Sequence, residues 1–192
     1  MKHITILTIA FLALGSLFLV QPTAAQTTVT DDEAAGLLFM REEEKLARDV
    51  YLTLYDEWGL RVFSNIANSE QQHMDAILTL INLYGLTDPA GSNGIGVFTN
   101  PDLQALYDDL LTQGLESPAA AIQVGVLIEQ TDIADLQTRL ATADNSNIER
   151  VYNNLLRGSQ NHLAAFERTA VNGTGNPTPN PTPGRRYGRG NR

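Results

Sequence analysis

The chain has 192 residues, no cysteine and a formal net charge of −9 at pH 7. All 22 acidic residues fall between positions 31 and 167, whereas the last stretch of the chain holds four arginines and no acid. A body this acidic repels phosphate, which excludes nucleic acid as a partner, and the absence of cysteine excludes a disulfide scaffold and a cysteine-attached lipid.

Residues 1–25 have the layout of a secretory signal. Lys2 supplies the positive end, an uncharged apolar run follows over 4–20, and Thr23, Ala24 and Ala25 offer small residues before a cut at Gln26. Secretion, to the periplasm or the exterior, is therefore expected. A short segment over 26–30 leads into a body over 31–170. Residues 171–192 are rich in Pro, Gly, Asn and Arg and have too few apolar side chains to offset the entropy of ordering, so a disordered tail is expected.

The body reads as all-α. A first helix is predicted over 30–58, where Thr30 and Glu33 have capping-box spacing and Gly59 stops the run. A second follows over 61–84, ending at Gly85. The connection over 85–116 is long and turn-rich, and carries a short helix from Pro101 to about Thr112 behind Asn100. A third long helix opens at Ser117-Pro118 and runs to about Ala143. A fourth opens at Ser146, with Glu149 three residues on, and ends near Ala170. Short joins make antiparallel neighbours, and one long crossover between the second and third long helices is the ferritin-like arrangement of an antiparallel four-helix bundle.

Polar residues interrupt the apolar stripes of these helices. At 100° per residue, Glu70 shares a face with Phe63, Ile66, Ile77 and Ile81, and His73 lies one turn on in the same stripe. Glu129 aligns with Ile122, Ile133, Leu136 and Leu140, with Asp132 one turn on. His162 aligns with Val151, Leu155 and Phe166, with Ser159 one turn before it. On the first helix Glu43 and Glu44 flank the apolar face on opposite sides, and Glu42 points further away, towards solvent. Tyr51 and Tyr84 read as core aromatics. Several ionised acids on converging seams repel one another unless they are protonated or bound to cations, and carboxylate with imidazole is a ligand set that suits iron and manganese. The competing reading of the same residues is a metal-free polar core network.

The segment from Glu44 to Tyr51 resembles the E-x-x-A-R-x-x-Y first-helix motif of rubrerythrin-type ferritin-like proteins, and that from Ile66 to His73 resembles their I-A-x-x-E-x-x-H. The stretches EEEKLARDVY, SEQQH, GIGVFTNPDLQALY and NLLRGSQNHLAAF are similar to those of an uncharacterised prokaryotic ferritin-like family of unknown function. The resemblance implies Glu44, Glu70, His73, Glu129 and His162 as metal ligands, Asp132 as a sixth, and favours Glu44 over Glu43. It departs at Ser159, where the fourth helix of the related di-iron proteins has a glutamate, so the second metal is expected to be the weaker held. The cofactor implied by the resemblance is a pair of iron ions, or manganese, with neither haem nor nucleotide. The expected activity is Fe(II) oxidation or peroxide reduction, with O2 or peroxide as oxidant and an external electron donor; a homodimer is compatible with it. The rival from another class is a non-catalytic envelope or interaction protein.

Overall fold

The computed structural model describes residues 28–173, which form five helices and, among the described residues, no strand. The signal-like segment and the tail beyond Gly173 lie outside the described residues.

Helix α1 spans Asp31–Trp58. The side chain of Thr30 accepts from the Glu33 amide, and Glu33 reaches back to the Thr30 amide at 3.0 Å, the reciprocal capping box expected from the spacing. Gly59, at φ 65°, ends the helix in a left-handed conformation that a side chain would strain. Only Gly59 and Leu60 separate α1 from α2, Arg61–Leu83, so the two pack antiparallel along their lengths. Helix α3, Pro101–Gly114, is capped by Asn100 and starts on its proline; α4, Pro118–Leu140, is capped by Ser117, whose hydroxyl accepts from the Ala120 amide.

Helix α5 spans Ser146–Asn172. Its cap is Asn145, one residue before the expected Ser146, because the Asn145 side chain reaches the Asn147 amide at 3.0 Å while also accepting from the Tyr84 hydroxyl at 2.9 Å. Val171 and Asn172 still belong to this helix, two residues past the expected end of the body. Helix α1 packs on α2, α2 on α5, α5 on α4 and α4 on α1, with α3 lying against α1 and α4.

The core consists of two apolar clusters. One, near the α1–α2 turn, contains Tyr51, Phe63, Ile66, Val124, Ile128 and Phe166. The other, at the opposite end, contains Leu37, Met40, Ile77, Leu136, Tyr152 and Leu155. On α1, α2, α4 and α5 alike, buried acids or a histidine lie between these clusters.

One expectation about α1 fails. Glu42 is buried, accepting from the amides of Thr99 and Asn100 on the crossover. Every residue from Met40 to Ala47 is buried, because α2, α4, α3 and the crossover enclose α1. A polar residue here therefore marks an internal partner and not a solvent face.

Candidate metal centre

All six acids and histidines singled out from the sequence are buried: Glu44, Glu70, His73, Glu129, Asp132 and His162. They come from all four long helices. Glu70 is central. Its Oε2 lies 2.8 Å from Nδ1 of His73 and its Oε1 lies 2.8 Å from Nδ1 of His162, so one carboxylate addresses two imidazoles. Glu44 of α1 adds an oxygen 3.1 Å from His73 Nδ1, and Glu129 of α4 adds one 3.5 Å from His162 Nδ1. The two rings stack with centroids 5.3 Å apart.

Close approach here does not amount to full hydrogen bonding. Glu70 Oε1 and His162 Nδ1, although 2.8 Å apart, are misdirected and make no hydrogen bond; Glu44 Oε1, Asp132 Oδ1 and Glu43 Oε2 also lack a partner. Buried polar atoms left without partners are costly, so several at one place need a common explanation. Glu70, His73 and His162 each present a ligand atom within 4.8 Å of the others, a spacing that could hold an ion. The donors are carboxylate oxygen and imidazole nitrogen, which fit iron or manganese. Four carboxylates (Glu44, Glu70, Glu129 and Asp132) when ionised balance the charge of two divalent cations.

Neighbouring residues fix the donors. The Tyr51 hydroxyl donates to Glu129 Oε1 at 2.7 Å, so Tyr51 is tied into the polar layer and is more than a core aromatic. Ser69 Oγ lies 2.8 Å from His162 Nε2; with the proton on Nε2, Nδ1 presents its lone pair to the centre. Among the described residues no such partner meets Nε2 of His73, whose ring packs on the backbone of Gly158: a Cβ there would sit 2.5 Å from that nitrogen. Ser159 is fully buried, its hydroxyl donating to the Leu155 carbonyl at 3.0 Å and lying against Asp132. Sequence reasoning missed Ser69 and Gly158, since neither stands out by polarity on a stripe.

Without bound metal, the charges sort themselves unevenly. Burial, with repulsion from Asp132, pushes Glu43 and Glu44 well above the carboxylate range. Burial and the Glu70 charge raise Glu129 to about 8, and burial raises Asp132 to about 7. Burial also works against ionised Glu70, but the His162 and His73 imidazoles outweigh it and hold that carboxyl at about 2. Burial disfavours charge on the imidazoles too, yet Glu44 and Glu70 lift His73 to about 11, and Glu129 and Glu70 lift His162 to about 9. Glu70 thus stays ionised between the two imidazoles, and burial favours the protonated form of the acids around it.

A model of the family described as an uncharacterized protein domain, DUF2202, matches residues 33–179. The uncharacterized protein MJ0754 of Methanocaldococcus jannaschii is 50% identical over 151 residues, covering 79% of this chain and 82% of that protein. The crystal structure of the hypothetical protein MJ0754 from Methanococcus jannaschii is similar with a TM-score of 0.76 and 48% identity, over 79% of this chain and 86% of that one.

Proposed function

We propose that this chain, which belongs to the DUF2202 family of uncharacterized domains, is a secreted ferritin-like protein whose four long helices form an antiparallel bundle around two iron or manganese ions. The observation that carries this reading is Glu70, with one oxygen 2.8 Å from each of two imidazole nitrogens, in a layer where one oxygen each of Glu44, Glu70 and Asp132 has no hydrogen-bond partner. Glu44 and His73 would hold one ion, Glu129 and His162 the other, with Glu70 between them and Asp132 completing the charge balance. Two such ions would supply electrons for reduction of O2 or peroxide, the basis of a ferroxidase or peroxide-reducing activity.

The chain's own residues prepare the site. Tyr51 orients Glu129, and Ser69 holds Nε2 of His162 so that Nδ1 is left to the centre. The apolar clusters on either side exclude bulk water, so charge on the carboxylates is neutralised by a bound cation and not by solvent. Binding would displace protons held on His73, His162, Glu44, Glu129 and Asp132. With no cysteine in the chain, electrons for repeated turnover come from an external donor.

Metal analysis of the purified protein after anaerobic loading with Fe(II) or Mn(II) tests this. Two ions per chain, lost in Glu70→Ala, and Fe(II) oxidation on adding O2 or peroxide are expected. A folded protein that takes up no ion and melts identically with and without chelator would instead have a structural polar core, the rival reading.

A further inference from the structure

Between α1, α3 and α4 lies a cavity of about 140 Å³ whose lip is formed by Leu106 and Leu127, 38% and 45% exposed. Leu110 continues the wall on α3, and the inner end rests on Leu46 and Ile128, both buried. The two polar side chains of the lining are engaged elsewhere. Thr131 donates its hydroxyl to the Leu127 carbonyl of its own helix at 3.0 Å, and Glu43 turns its carboxyl to Asp135 and Asp132. A polar solute entering here would exchange its hydrogen bonds with water for a hydrocarbon wall. An apolar cavity of about 150 Å³, by contrast, stays dry and takes up benzene or xenon.

The position of this space gives it a use. On α1 its lining residues Glu43 and Leu46 flank Glu44, and on α4 Ile128 precedes Glu129 and Thr131 precedes Asp132. The cavity therefore backs on the helix turns that carry three acids of the polar layer. We propose that it takes up O2 from solvent and is the way by which O2 reaches the metal centre. This rests on the metal reading and narrows it. Dissolved O2 has no hydrogen bonds to lose on entry, whereas H2O2 donates and accepts in water and is held back. From the inner end a diatomic molecule has the packing around Leu46 and Ile128 to cross, which side-chain rotamer motion relaxes transiently.

Xenon, an apolar probe, tests the cavity without metal. Methyl NMR of chelator-treated protein under xenon pressure should show saturable shifts at Leu46, Leu110 and Ile128. These should be lost in Leu127→Trp and in Leu106→Trp, which fill the lip from exposed positions at unchanged melting temperature. In Fe(II)-loaded protein both variants should slow oxidation by O2 at least fivefold, with oxidation by H2O2 and Fe(II) affinity unchanged. Absence of xenon shifts, or shifts that survive in both variants, would overturn the proposal. Equal slowing of the two oxidants would overturn it as well. Fe(II) bound and oxidised by O2 at the wild-type rate in both variants sinks the route alone. A chain that takes up no Fe(II) sinks the metal reading and the route with it, even where xenon binds. A wild-type dimer that dissociates on Leu127→Trp would assign the leucines to a second copy of the chain and end the proposal too.

Discussion

Ser159 and Gly158 are the smallest side chains facing the polar layer from α5, and each leaves a consequence that can be measured. The Ser159 hydroxyl lies against Asp132, so where the resemblance to di-iron proteins implied an acid on this helix, the chain sets an acid of α4 instead. Asp132→Ala is expected to weaken the second ion at least tenfold in a Mn(II) titration, and adding Ser159→Glu should recover much of that loss. Ser159→Glu alone places a further carboxylate beside Asp132 and should destabilise the chelated protein. Two sites unchanged by Asp132→Ala would show that Asp132 is not a ligand. Gly158 bears on the other proposed ion, through His73. Alanine is preferred to glycine in a helix by about 1 kcal/mol, so Gly158→Ala would ordinarily stabilise α5. Here its Cβ would lie 2.5 Å from His73 Nε2, and the ring must move off Glu44 and Glu70. Metal stoichiometry is expected to fall from two towards one, with the His162 ion retained; two ions bound with wild-type affinity would refute this.

At the scale of the element, α1 performs two tasks in alternation. Glu44 and Tyr51 face the polar layer, while Arg41, Glu42, Lys45 and Asp49 hold the crossover. Arg41 makes a two-pronged pair with Asp88, each contact 3.0 Å, and donates to the Met74 carbonyl. Lys45 donates to the Gly94 carbonyl at 2.8 Å and lies over Phe98, while Asp49 pairs with Lys45 and accepts from the Gly96 amide at 3.0 Å. Removing one member of a buried pair leaves an uncompensated charge and costs about 3–5 kcal/mol, so Asp49→Ala should lower unfolding stability by that order. Hydrogen exchange at Gly96 should accelerate as well; a change below about 1 kcal/mol would mean that Lys45 finds another partner. This division of labour explains what the sequence made legible. On α2, α4 and α5 a polar residue on an apolar stripe stood out because the opposite face meets solvent, and five of the six candidate residues, with the helix limits to within a few positions, could be read there. On α1 the surroundings erase that contrast: Glu42 looked solvated, and Glu43 and Glu44 could not be separated, because every face over this stretch is covered. The crossover that covers it pairs with α1 across more than 40 positions, a distance periodicity does not reach. Gly158 and Ser69 were illegible for a different reason, since what matters is the ring packed on each and not their own polarity.

For the molecule as a whole, two apolar clusters favour folding while the layer between them opposes it as its acids ionise. The sign is set by the protons bound. Glu129 and Asp132 in the folded protein hold their protons to about 8 and about 7, well above ordinary carboxylates. His73 and His162 hold theirs to about 11 and about 9, above an ordinary imidazole. Across this range the folded chain binds more protons than the unfolded one, so stability falls as pH rises. Glu70, held at about 2, has the opposite sign, but its effect is complete once pH exceeds the ordinary carboxylate range. Chelated protein is therefore expected to be most stable near pH 5 and to lose stability steadily to pH 8. In a domain of this size each kcal/mol moves Tm by roughly 3 °C, and a fall of at least about 5 °C is expected. Bound Mn(II) reverses the slope: the cations replace the protons, and affinity rises as the imidazoles and acids give theirs up. Melting curves collected every half pH unit, with chelator and with excess Mn(II), should thus diverge from pH 5 upward. Parallel curves would mean that the ions do not bind at this layer, and a chelated protein that grows more stable towards pH 8 would mean that its acids are already ionised and paired.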